Sequence, residues 1–370
     1  MDLKRAIAGH QGVWAALASA VLFGAGTPLA KSLLAALPGR AGPWLLAGLL
    51  YAGSGLGLLV YRRLKNLPTP QLTRGESIWL LAAVVCGGGV APVLLMSGLT
   101  RMAASHASLL LNAEAVLTTL LAWALFREHL GRRIVLGMAL IVAGALLLSW
   151  PQSGGGASLQ ASELWPALAV LLACAFWALD NNFTRKVAHA DASWIACIKG
   201  LSAGLTNLLL AFLWGAALPS LGDISAAMVI GFLAYGVSLA LFVVALRHLG
   251  ASRAGAYFST APFVGALLSV LLFGDAVTGQ LLAASGLMGL GVWLHLTENH
   301  AHEHHHMVLT HAHEHTHDAH HQHEHEHESS DGSVVPAGIA HESSHSHRHS
   351  HAPLSHSHPH FPDAHHRHPH

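Results

Sequence analysis

The sequence predicts an all-α membrane protein: ten transmembrane helices arranged as two inverted five-helix repeats, followed by a disordered, histidine-rich C-terminal tail. Three observations predict it. The first is polarity: of 370 residues, 52% are hydrophobic and only 10% charged, with a mean hydropathy of +0.46, whereas a soluble domain carries about 25% charged residues. The second is an internal repeat, in which Gly98–Trp150 lies on Ala245–Thr297 without a gap. The third is the placement of Lys and Arg, which fall on alternate loops as short loops of inner-membrane proteins require.

A span needs about 20 mostly apolar residues. Ten segments meet that length: roughly 12–34, 41–61, 76–98, 103–126, 132–150, 164–184, 192–214, 224–247, 252–273 and 278–296. Helix breakers separate them: Pro38-Gly39, Pro68-Thr69-Pro70, Gly131, the stretch from Pro151 to Gly156, and Pro219 to Gly222. The first run opens on Lys4 and Arg5 and passes Ala18-Ser19-Ala20, as a signal peptide would. It continues to Ala30, beyond the usual 7–15 residues of a signal's apolar region, and is taken as a span.

The repeat is carried by paired positions. Ala104, Ser105 and Ala107 meet Ala251, Ser252 and Ala254; Leu125-Phe126 meet Leu272-Phe273; Glu128 meets Asp275; Gly144 meets Gly291. A stripe of small or weakly polar residues at helical spacing, Ser105, Ser108, Asn112, Ala115 and Thr119, meets Ser252, Gly255, Ser259, Pro262 and Ala266. Domain boundaries follow: a first five-helix repeat over 12–150, a flexible Gly-rich linker over 151–163, a second repeat over 164–297, and the tail over 298–370. With the N-terminus inside, Lys4, Arg5, Arg62, Arg63, Lys65, Arg74, Arg127, Arg132, Arg133, Arg185, Lys186 and Arg247 all face the cytoplasm, and little beyond Arg40 and Arg101 faces out. Five spans per half is odd, so the second half enters inverted. Inverted repeats are a plan of secondary transporters, with the substrate site near mid-membrane between the halves.

With His neutral, net charge is zero, so no basic field suggests nucleic acid. Cys86, Cys174 and Cys197 sit in apolar runs and imply no disulfide framework. No Ser-His-Asp arrangement or His-Glu-x-x-His motif stands out in the spans, and no enzyme activity is expected.

Polar residues inside the spans are the candidates for chemistry. Glu114 lies near the middle of the fourth span beside Asn112, with Thr118 one turn on. A carboxylate there costs about 2.5–3.5 kcal/mol on insertion scales, so it is a substrate or proton site, or a structural acid paired with another helix. Asp180-Asn181-Asn182 ends the sixth span; three consecutive residues cannot share one helix face. Lys199 and Asn207 fall nearly on one face of the seventh, where Lys199 either pairs with an acid or meets substrate. Lys31, near the outer end of the first span, either snorkels or lines the pathway. Sliding the first span onto the sixth sets it on Arg185. His106 and Tyr257 are further pathway candidates, against the plainer readings of interfacial residue and packing. Gly87-Gly88-Gly89 with Pro92 implies a broken or closely packed third span.

The tail holds all but six of the 32 histidines. His302, His304, His305, His306, His311, His313, His315, His317, His323, His325 and His327 alternate with Glu and small residues. Such a segment cannot build a core. Neutral imidazoles are ready ligands for Ni, Zn, Co or Cu, with the pH-responsive tail and drifted low-complexity sequence as the alternatives.

The stretches Ala103-Ala104-Ser105-His106-Ala107-Ser108, Asn112-Ala113-Glu114-Ala115, Phe126-Arg127-Glu128-His129-Leu130 and Phe23-Gly24-Ala25-Gly26-Thr27-Pro28-Leu29-Ala30-Lys31 carry a resemblance. Over residues 12–296 the chain resembles the drug/metabolite transporter superfamily, EamA type. It departs from the family's usual Glu-Pro: Ala115 follows Glu114, and Ala261-Pro262 keeps only the proline. The resemblance implies a ten-helix inner-membrane carrier, often an exporter of amino acids or other small metabolites, frequently proton-coupled. Three readings compete: a metabolite carrier with a regulatory or buffering tail, a divalent-metal (Ni, Co or Zn) exporter loaded by its tail, and a non-transporting metal sensor. The expected partners are a small solute or metal ion and the lipid bilayer; oligomeric state is left open.

Overall fold

The structure is a computed structural model. It describes residues 3–297 apart from 38, 40, 127–130, 151–160 and 188–189, together with six short segments of the tail. Among the described residues, nine helices are long and apolar enough to cross a membrane: Gln11–Ala35, Gly42–Leu64, Arg74–Leu99, Ala104–Leu125, Arg132–Ser149, Leu164–Thr184, Ala192–Leu213, Leu221–Ala245 and Gly279–Leu296. The shorter apolar helix Ala261–Phe273 stands in ninth place, so the ten spans appear in the expected order. They are called the first to the tenth span below.

Two local features depart from the sequence reading. The fourth span is not continuous but breaks at a turn over 111–112, between Ala104–Leu110 and Ala113–Phe126. The Asn112 side-chain amide donates to the Leu109 carbonyl at 2.9 Å, alongside the bond that carbonyl receives from the Asn112 backbone amide at 3.0 Å. The second half breaks at the matching place, over 259–260 before Pro262, where the Thr260 hydroxyl donates to the Tyr257 carbonyl at 2.6 Å. The break is thus kept in the first half without a proline. Between the eighth and ninth spans, helical backbone runs from Ser238 to Phe258 without the expected loop. The rings of Phe242 and Phe258 nevertheless lie 4.8 Å apart, where a straight helix would separate them by about 24 Å. The chain reverses direction within that stretch, so eighth and ninth spans are distinct.

Packing follows an exchange of the two halves. The second span packs on the seventh, the fourth on the ninth and the fifth on the tenth. The first packs on the eighth and ninth, and its counterpart the sixth packs on the third and fourth. Small residues allow these approaches. A Cβ on Gly200 would lie 2.7 Å from the amide nitrogen of Gly55, and one on Gly291 would lie 2.6 Å from the carbonyl of Gly137. Neither helix pair could close with a larger side chain there.

The Gly87-Gly88-Gly89 run produces a wide, π-type turn over Val84–Val90 instead of a break. A second such turn covers Phe232–Val237. The register that sets Gly98 on Ala245 sets Val90 on Val237, so the two wide turns are repeat partners. π-type turns are rare and gather at functional sites.

Most of the large hydrophobic core gathers at one end of the bundle. It joins Leu34 and Leu37 from the end of the first span, Leu45–Leu50 from the start of the second, Leu95 and Leu99 from the end of the third, Leu109 and Leu110 from the fourth, and Val170 from the start of the sixth. Polar contacts tie the same end. Lys31 donates to the carbonyls of Leu99 and Met102, the latter at 3.1 Å. The Ser105 amide donates to Asp275 at 3.0 Å, and Trp44 packs edge-on against Trp214.

At the opposite end Arg62, buried, reaches Asp191, Ser193 and the Pro68 carbonyl, pinning the second span to the start of the seventh. Asp191 also caps that helix by accepting from the Trp194 amide at 2.9 Å. Burial alone would raise its carboxyl pKa; the Ser193 hydroxyl, the Trp194 amide and Arg62 outweigh burial and hold it below the ordinary value.

The tail, Asn299–His370, forms a separate unit. The sequence pattern predicts disorder there; among the described residues His300–His306 pairs antiparallel with Leu354–His360, Leu309–His315 with His345–His351, and Glu326–Glu328 with Val334–Pro336. Alternation of His with small or acidic residues has the period of an extended strand, and backbone pairing needs no core. His317, His323 and His325 lie outside the described residues, as do Glu128 and His129.

Candidate functional site

A cavity of about 440 Å³ lies among the first, second, fourth, sixth, seventh, eighth and ninth spans, away from the end occupied by most of the large core. Ala190 and Ala192, before and at the start of the seventh span, are among its lining residues. The fifth and tenth spans contribute nothing to it and pack on each other.

Six aromatic rings form most of its wall: Phe23, Tyr51, Trp177, Tyr235, Phe242 and Phe258. The wide turns position three of them, Tyr51, Trp177 and Tyr235. In a π-type turn the carbonyls are spaced differently from those of an α-helix, and some need side-chain donors. Gly87 supplies such a carbonyl, which accepts from the Tyr51 hydroxyl at 2.9 Å and from the Trp177 indole at 3.0 Å. The next carbonyl, Gly88, accepts from the Asn207 amide at 2.8 Å. Tyr235 sits within the second wide turn, stacked against Tyr51 at 5.9 Å and edge-on to Phe23 at the same distance. Phe258 closes the set, 5.0 Å from Phe23.

The polar part of the wall comes from the fourth, sixth and seventh spans. Glu114, in the first turn after the break at 111–112, accepts from the Asn181 amide at 2.9 Å through Oε1. The same amide lies 3.4 Å from the Thr118 hydroxyl, so Glu114 and Thr118 share a face as their spacing required. Lys199 donates to both carboxylate oxygens of Asp180, each at 2.6 Å, and Thr184 adds a bond to the same carboxylate at 3.0 Å. Asp180 is buried behind the wall against Gly87, where a Cβ would fall 1.9 Å from its Oδ2. Glycine at 87 therefore makes room for the ion pair and offers the carbonyl that positions two rings.

Of the residues singled out in the sequence, Glu114, Asn181 and Lys199 line the cavity together. Thr118 and Asp180 stand directly behind them. The three consecutive residues Asp180, Asn181 and Asn182 divide as helix geometry demands: the first takes Lys199, the second Glu114, and the third the carbonyls of Thr118 and Ala178. Lys31, His106 and Asn112 lie apart from the cavity, the first two at the packed end. Tyr257 packs toward Ala15 and Ala16, and its neighbour Phe258 faces the cavity instead. The sequence reading missed the aromatic wall. One signal for it was present: the register that sets Lys31 on Arg185 also sets Phe23 on Trp177, making two cavity rings repeat partners. Among the described residues, no group of three or more His, Cys, Asp or Glu side chains is placed to hold a metal ion.

The chain is similar to proteins described as transporters. One from Methanothermobacter thermautotrophicus is 28% identical over 55% of this chain, and the match spans 59% of that relative, less than two thirds of its length. The inner membrane transporter YedA of Escherichia coli K12 is 24% identical over 68% of this chain and 83% of its own. A protein of Salmonella typhimurium described as a probable amino-acid metabolite efflux pump is 29% identical over 53% of this chain and 68% of its own. The EamA-like transporter family matches residues 10–150 and again 164–297, five spans each time, and the chain belongs to that family.

Proposed function

We propose that this protein is an inner-membrane carrier that moves a small organic solute, an amino acid or related metabolite, out of the cell by alternating access, and that it catalyses no chemical reaction. The observation that carries this reading is the asymmetry of the bundle. A cavity with a carboxylate, an amide and an ion pair reaches one end, while the other ends of the same helices are packed and tied by Lys31 and by the Ser105–Asp275 bond. A bundle whose halves pack by mutual exchange has a second arrangement in which the packed and open ends trade places. The Lys/Arg distribution supports an open end, with Arg62, Arg63 and Lys65, that faces the cytoplasm together with both termini. The similarity to an amino-acid metabolite efflux pump supports the solute class and the direction.

A second reading, export of Ni, Co or Zn, is favoured by one feature, the density of histidine in 298–370. The cavity wall argues for the organic solute, since its described lining residues offer one carboxylate outside an ion pair and no imidazole or thiol. The tail then acts as a cytoplasmic metal-binding appendage. Proteoliposomes carrying either the full chain or a chain ending at Thr297, tested against amino acids and divalent metals, separate the readings. Amino-acid or metabolite transport by both forms supports the carrier; metal transport that requires the tail overturns it.

A further inference from the structure

The wall of the cavity also specifies the charge of what it holds. This inference rests on the reading of the cavity as the transport site. Among the described residues, two charged side chains line the cavity, Glu114 and Lys199. Lys199 is spent: both oxygens of Asp180 take its ammonium at 2.6 Å, and the Thr184 hydroxyl lies 3.4 Å from it. Neither Arg nor His is among the described lining residues. Among the described lining residues an anionic solute would therefore meet no free cation. Glu114 differs. Its hydrogen bond within the protein comes from the neutral Asn181 amide at Oε1, and it sits in the cavity wall with no cation bonded to it. The same cavity is lined by Phe23, Tyr51, Trp177 and Tyr235, whose ring faces carry negative potential and attract ammonium groups. Tyr51 and Trp177 direct their own donors away, into the Gly87 carbonyl, which leaves ring surface for the ligand.

We infer that the cavity takes a monocationic organic amine with a flat, apolar body, and discriminates against the corresponding carboxylate. The ammonium pairs with Glu114 and the body lies among the six rings. The volume of about 440 Å³ falls in the 300–1,000 Å³ range of small-molecule pockets and accommodates one ring with a short alkyl chain.

The test uses three probes of nearly equal shape: phenethylammonium, phenylalanine and 3-phenylpropionate. Each competes for binding to the purified full-length protein at pH 7.5, and each is followed for counterflow in proteoliposomes. The amine should bind at least about tenfold more tightly than the carboxylate, the scale of one desolvated cation–π contact or charge pair, with the zwitterion between them. Glu114→Gln should remove that preference, and Tyr235→Leu should weaken the amine while leaving the carboxylate unchanged. Equal or tighter binding of the carboxylate overturns the inference, as does a preference that survives Glu114→Gln. Should Glu114→Gln fail to reach the membrane, the selectivity of the unaltered protein among the three probes decides alone. Counterflow of amino acids or other metabolites without any of the amine would sink the amine assignment and leave the carrier standing. Absence of counterflow for every solute, with the protein inserted, would sink both.

Discussion

Removing the carboxylate of Asp180 should destabilise the bundle far more than removing the whole ion pair. Asp180→Asn keeps the shape against Gly87 but leaves Lys199 without its counter-ion. Stripping one partner from a buried pair costs about 3–5 kcal/mol, because the remaining charge has neither water nor partner. The Lys199 side chain keeps 18% of its surface accessible and Asp180 only 6%. Cavity water can therefore solvate an orphaned ammonium in part, which places Asp180→Asn near the lower bound, about 3 kcal/mol. Lys199→Met leaves the less accessible carboxylate and belongs nearer the upper bound, about 5 kcal/mol, unless the acid takes up a proton. The double variant leaves no buried charge, and replacement of a buried pair by neutral groups is often close to neutral. A double-mutant cycle on reversible unfolding in bicelles should thus give a coupling energy approaching the sum of the two single costs, about 8 kcal/mol. Single variants that each cost less than about 1 kcal/mol, the scale of an exposed pair, or effects that simply add, would refute the buried-pair argument.

Other expectations rest on separate contacts. Gly200→Leu places a side chain against the Gly55 backbone, where even a Cβ comes within 2.7 Å; it should cost about 3 kcal/mol or more and be read as loss of folded protein after membrane extraction. Lys31→Met removes the donor to the Leu99 and Met102 carbonyls, and a cysteine at Leu34, buried in the packed end, should then label faster from outside; an unchanged rate would remove Lys31 from the closed end's fastening. Asp191 is held below its ordinary pKa, so its contribution is fully present above about 3.9 and is lost as pH falls below that value through the folded pKa. Asp191→Asn should lower thermal stability at pH 7 and flatten its decline below pH 4, and an unaltered acid limb would contradict the assignment. The full chain should bind several Ni or Zn ions that the form ending at Thr297 does not, with binding fading as pH falls through about 6.5, because protonated imidazole has no lone pair to give.

The architecture was legible because the physics behind it is periodic and local. Span length, charge on alternate loops and the step between repeats need no knowledge of side-chain contacts. Glu114 and Lys199 were legible for a related reason: an ionisable group in an apolar span must find a partner or water, and both did. The role of Gly87 was legible only as an interruption. A run of glycines permits a wide turn, but only the fold shows that its carbonyl faces Tyr51 and Trp177 while the missing side chain admits Asp180. The aromatic wall was hidden because rings in spans pack in many ways, and Tyr257 and Phe258 are equally plausible by spacing; only the fold puts Phe258 in the wall and Tyr257 against Ala15 and Ala16. Lys31 shows the converse. Its position allowed either a snorkelling amine or a pathway residue, and its contacts, the carbonyls of Leu99 and Met102 at the end of the third span, could be seen only in the fold.

The central claim is that the solute occupies the cavity beside Glu114 and reaches it from the cytoplasmic end. The measurement that tests it most directly is protection of a cysteine at Ala196, which lines the cavity wall, in a protein whose Cys86, Cys174 and Cys197 are replaced. A small membrane-impermeant thiol reagent should label this site from the cytoplasmic face, and a solute the protein transports should slow labelling in proportion to its occupancy, an effect lost in Glu114→Gln. Labelling that the transported solute leaves unchanged, in protein that still carries it, would place the site elsewhere.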